Sequence, residues 1–90
     1  MNIDYDTLES DIESGVLREQ LKEELTLGFR QIQDAGERLP TASHYASQIA
    51  EIVNRGANLD EVMKFELYQE ILEACEAARA AVLGEEAKPS

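Results

Sequence analysis

Residues Asn58 to Leu83 read NLDEVMKFELYQEILEACEAARAAVL, without a glycine or proline, and this run decides the fold. Stepping by about 100° per residue, Met63, Leu67, Ile71, Ala74, Cys75, Ala78 and Val82 fall in one sector, and Phe65, Tyr68 and Leu72 widen its edge. The spacing predicts one long helix. Asn58 is placed to cap it, with Glu61 three residues on as the returning carboxylate of a capping box. Gly84 follows the last apolar residue as a stop signal. The apolar arc covers about half the circumference, wider than the stripe of an ordinary surface helix. A helix with this arc requires neighbours on more than one side.

Working outward, residues 1–13 hold five acids, no base, and interleaved apolar residues. Tyr5, Leu8 and Ile12 fit a short amphipathic helix from about Tyr5 to Glu13, with Asp4 or Asp6 as its cap. Ser14-Gly15 breaks the pattern. Leu17, Leu21, Leu25, Phe29 and Ile32 then share one face of a helix over Val16–Ala35, closed by Gly36. Gly28 lies on that apolar face and costs about 1 kcal/mol relative to Ala; its position there suggests close approach by another helix. After the connection at Leu39-Pro40, Tyr45, Ala46, Ile49, Ile52 and Val53 mark the inner face of a helix over Ala42–Arg55, capped by Thr41 or Ser43 and stopped by Gly56. His44, Gln48, Glu51 and Arg55 take the outer side. Lys64 and Arg79 project beside the broad apolar sector of the last helix, Lys64 snorkelling past the core rim and Arg79 favoured by the helix dipole.

The fold expected is all-α: a compact bundle of a short N-terminal helix and three longer antiparallel-type helices. It forms a single domain over residues 1–83 with a flexible polar tail at 84–90. The long fourth helix should lie against both the second and the third. Its alanine-rich end (Ala74, Ala77, Ala78, Ala81, Val82) is apolar enough to permit a homodimer through the fourth helix.

Nineteen acids against eight bases give a formal net charge of −11 on 90 residues. Such a charge disfavours direct nucleic-acid binding and anionic membranes, and favours encounter with basic partners. No apolar run approaches the ~18 residues of a membrane span, and the acidic start lacks the basic and apolar regions of a secretory signal. These features, with a single cysteine, place the protein in the cytoplasm, or in that of a host cell if the gene is viral.

No catalytic constellation emerges. His44 has no catalytic partner in its pattern, and a carboxylate on its own face comes only at Glu51, two helical turns on. Cys75 sits deep in an apolar sector, as a small core residue does. A calcium loop counted from Asp4 would need Gly at its sixth position and Glu at its twelfth, where Glu9 and Gly15 stand. No cofactor or metal is implied. The best-defined polar feature is an acidic ridge, Glu66, Glu70 and Glu73, with Glu76 beyond its edge. Carboxylates about 5–6 Å apart on a helix suit docking to Arg and Lys side chains. The reading is therefore a non-enzymatic acidic helical protein that binds and regulates or inhibits a partner with a basic surface. By size, charge and fold class it stands beside phage-encoded inhibitors, immunity proteins and antitoxins. The alternative is a self-associating structural or assembly subunit.

Overall fold

A computed structural model describes residues 5–87 of the chain, with the side chains of residues 5–84. The described residues form four helices and no strand: α1 (Leu8–Ser14), α2 (Val16–Asp34), α3 (Ala42–Gly56) and α4 (Glu61–Ala87). The all-helical architecture is as the periodicity predicts, one short helix followed by three longer ones.

α4 is the central element. It packs against α2, α3 and α1, whereas no Cα atom of α2 comes within 8 Å of one in α3. Leu67, Ile71, Ala74, Cys75, Ala78 and Val82 form its fully buried stripe. α2 meets the stripe with Leu17, Leu21, Leu25 and Phe29, α3 with Ala46, Ile49, Ala50 and Val53, and α1 with Leu8 and Ile12. Each buried Leu, Ile, Val or Phe stabilises the fold by about 1.5–3 kcal/mol relative to its exposed state. One aromatic pair links α2 to α3: the Phe29 and Tyr45 rings lie 4.9 Å apart, tilted by 43°, within the range of favourable ring contacts. At the other end of the gap, Tyr5 reaches the C-terminal turn of α3, lying where a side chain on Gly56 would stand.

The connections follow from local chemistry. Gly15 (φ +81°) ends α1 and begins α2 in the left-handed region that glycine enters without strain. α2 ends in a Schellman motif: Glu37 N–H donates to the Ile32 carbonyl at 3.1 Å and Gly36 N–H to the Gln33 carbonyl at 3.0 Å, with Gly36 at φ +77°. α3 is capped by Thr41, whose hydroxyl accepts from His44 N–H at 3.3 Å. Arg79 donates its Nε–H to the Pro40 carbonyl at 2.9 Å, tying α4 to the α2–α3 connection.

Several details differ from the sequence reading. α1 begins at Leu8 rather than Tyr5, and Tyr5 is exposed. The cap of α4 is Asp60, whose Oδ1 accepts from Met63 N–H at 2.8 Å, not Asn58 with Glu61. Leu59 is drawn against the core, which carries the turn two residues past Asn58. α4 also runs through Gly84 to Ala87. Gly84 and Gly56 do not take positive φ, so neither acts as a left-handed stop. Of the expected tail at 84–90, the backbone of 84–87 is helical, while residues 88–90 and the side chains of 85–87 lie outside the described residues.

The inner face of α3 uses Ala50 where Ile52 was expected, and Ile52 is 63% exposed. α3 has only α4 as a backbone neighbour, so its buried arc is narrow. Phe65, placed at the edge of the α4 sector, is likewise exposed. Of the alanine-rich end of α4, Ala74, Ala78 and Val82 are fully buried by the chain's own helices, whereas Ala77 is half-buried and Ala81 is exposed. No close helix approach explains Gly28, because an added Cβ would meet only the Tyr45 hydroxyl, at an ordinary 3.6 Å.

Gly28→Ala should therefore raise stability by about 0.5–1 kcal/mol, through helix propensity alone. Phe29→Ala should lower it by about 3–5 kcal/mol, through cavity formation and loss of the α2–α3 link. Urea denaturation of both variants checks the signs.

Candidate binding surface on the fourth helix

The four ridge carboxylates do not form one uniform face. Glu70 and Glu73 turn towards α2, where Arg18 follows the buried Leu17. Arg18 Nη1 donates to Glu73 Oε2 at 2.5 Å, and its Nε lies 3.7 Å from Glu70 Oε2. The Glu70 side chain is only 20% exposed. Glu73, and then Glu70, hold the Arg18 guanidinium charged above its already high ordinary value. Half of the predicted ridge therefore fastens α4 to α2. Nothing in the sequence signals this pairing across more than fifty positions. The available hint is that Arg18 borders the apolar stripe of its helix.

Glu66 and Glu76 are exposed, and neither has an ion-pair partner among the described residues. Glu66 borders a notch between α1 and α4, together with Ile12, Glu13, Gln69 and Glu70. The notch presents three carboxylates around an apolar floor, a shape and charge suited to a Lys or Arg side chain.

Phe65, which the sequence reading assigned to the core edge, stands on the outward side of α4 beside Val62. Val62 is 66% and Phe65 64% exposed. On the flank of α4 nearest α3, Lys64 and Tyr68 form a shallow groove with Ser47, Ala50, Glu51, Asn54 and Arg55. Lys64 snorkels there and reaches Glu61 at 3.6 Å.

The other chemically distinctive side chains are placed as structural or surface groups. His44 is exposed, within 3.4 Å of Gln48. Cys75 is fully buried, and its thiol is pushed up to about 11, first by burial and second by Glu76. No described polar or charged residue is fully buried, and no described group of three or more His, Cys, Asp or Glu residues is arranged to hold a metal ion. No described helix is long and apolar enough to cross a membrane. Comparisons with family models, curated proteins and solved structures return no match.

Arg18→Ala should lower the thermal midpoint measurably more than Arg55→Ala. Arg55 joins Glu51 across one exposed turn of a single helix, a contact worth about 0.2–0.5 kcal/mol. Arg18 instead joins two helices. For Cys75 the sign is set by a folded-state value above the free thiol's. Its contribution is intact below about 9 and declines as pH rises towards about 11. At pH 8 the native thiol should resist a thiol-reactive dye, and a denaturant should expose one reactive thiol per chain.

Proposed function

We infer that this chain is a non-enzymatic, acidic helical protein that binds a partner protein through that partner's basic surface, and so regulates or inhibits it in the cytoplasm. One observation carries the reading: at least four of the eight cations are bound within the fold. Arg18 pairs with Glu70 and Glu73, Arg55 with Glu51, and Lys64 with Glu61, while Arg79 is bound to the Pro40 carbonyl. The surplus of acids over bases, 19 against 8, is thereby left to the surface. A field of one sign steers encounter with the opposite sign and repels nucleic acid. Glu66 and Glu76 serve as docking carboxylates, and Glu70 and Glu73 hold the helix that presents them.

The alternative, a self-associating structural or assembly subunit, draws support from the exposed Val62 and Phe65. Within the alanine-rich seam Ala74, Ala78 and Val82 are buried by the chain itself, while Ala81 and Leu83 are exposed. The two readings separate by salt. Contact with a basic partner weakens as ionic strength rises, whereas an apolar self-contact does not.

The immobilised chain should retain a basic protein from its native host's lysate at low salt and release it as salt rises. The double variant Glu66→Lys/Glu76→Lys should retain it less, with no change in folding, since both positions are exposed. Retention of the same partner indifferent to salt and to the double variant would overturn the reading.

A further inference from the structure

Core packing does not account for the outward side of α4. The helix buries one stripe completely, yet Val62 and Phe65 stand on the opposite side, each about two-thirds exposed. They begin a series, Val62, Phe65, Gln69, Leu72 and Glu76, spaced alternately three and four residues apart. This is the spacing of a helix-pairing seam. Gln69 and Leu72 are partly buried, Leu72 against the core, and Glu76 is exposed, so the seam runs from the exposed Val62 and Phe65 to Leu72, about 15 Å along the axis. Glu66 lies along one edge of the seam beside Glu73, which Arg18 engages, and Glu61, paired with Lys64, lies along the other, at the positions that select partners in paired helices.

These edges determine what can cover the seam. A second copy would bring acidic edges of its own and a chain of the same −11 charge. Like charges across such positions disfavour pairing. The complementary occupant is a helix with apolar residues at the same alternating spacing and Lys or Arg on both flanks. We propose that the Val62–Leu72 seam of α4 docks a basic amphipathic helix of the partner protein. The proposal rests on the reading of an acidic binder and adds the surface and the partner's secondary structure. Phe65 is the anchor, as a large exposed aromatic that becomes buried on docking. The acidic edges fix register and exclude self-pairing. α4 is held on its inner side by α2, α3 and α1, so the seam is rigid before binding and little ordering is needed on this side of the contact.

The test uses two dye-labelled amphipathic peptides of three heptads, both with Leu along the seam. One carries Lys on its flanks and the other Glu. Fluorescence anisotropy should show the Lys peptide binding the full chain at micromolar concentration, and the Glu peptide at least about tenfold more weakly. Phe65→Ser should weaken the Lys peptide about tenfold with an unchanged thermal midpoint. Glu23→Lys/Glu24→Lys, on the far side of α2 and equal in charge change to Glu66→Lys/Glu76→Lys, should weaken it much less than that pair does.

Lys-peptide binding that Phe65→Ser leaves intact overturns the seam. If Glu66→Lys/Glu76→Lys still weakens that binding, the acidic-binder reading survives. Failure of both peptides to bind also overturns the seam, and lysate capture then decides the broader reading separately. Sedimentation showing a dimer of the unmodified chain that Phe65→Ser dissolves would identify a second copy as the occupant and overturn the proposal.

Discussion

Burial of one stripe of α4 is the constraint on which the rest of the structure depends. α2 and α3 do not pack on each other along their backbones, so both are positioned by the surface that α4 offers them. Leu67, Ile71, Ala74, Cys75, Ala78 and Val82 are all fully enclosed. Large side chains at Leu67 and Ile71 followed by small ones from Ala74 to Ala78 give the neighbouring helices ridges and hollows to fit. Ala74 and Ala78 therefore act as space for the side chains of other helices. Their small size belongs to the packing of the monomer. An alanine-rich stretch read from sequence alone is ambiguous between those two uses, and only the positions of α2 and α3 decide it.

The gap between α2 and α3 shows how a small domain closes without packing those two helices on each other. Phe29 and Tyr45 meet across it, and α1 covers part of the core with Leu8 and Ile12. A chain of 90 residues has little interior to spare. Two rings and one short helix take the place of a longer contact.

Helix number, order and main buried faces were legible in the sequence, because a 3.6-residue period over long runs is the strongest local signal a chain carries. Leu17, Leu21, Leu25 and Phe29 could be placed inward from spacing alone, as could Leu67, Ile71 and Val82. What was not legible depended on neighbours. Ile52 and Phe65 are apolar and lie beside buried stripes, but burial needs a second surface opposite them, and no period says where a second surface ends. Asp60 caps α4 because Leu59 is held against the core, a tertiary event. Gly84 and Gly56 illustrate the converse. A glycine weakens a helix by about 1 kcal/mol without obliging it to end, and stops one when its backbone enters the left-handed region, as Gly36 does. For the acidic ridge, residue types were visible but roles were not, since Arg18 lies far away in sequence and captures two of the four carboxylates.

That division of the ridge bears on how an acidic surface remains compatible with a stable fold. Crowded carboxylates repel one another, and an excess of one sign destabilises the compact state. Arg18 answers this where crowding is structural, bringing a cation from α2 to Glu70 and Glu73 and leaving Glu66 and Glu76 unpaired at either end. The same contact that relieves repulsion also fixes α4 against α2. The remaining carboxylates and the outward apolar residues are consequently held on a backbone that cannot rotate away without breaking the core. A surface so fixed has less ordering entropy to lose on association than a charged segment that must fold as it binds. The helix that organises the interior is thus also the element best able to present a rigid, charged face to another protein.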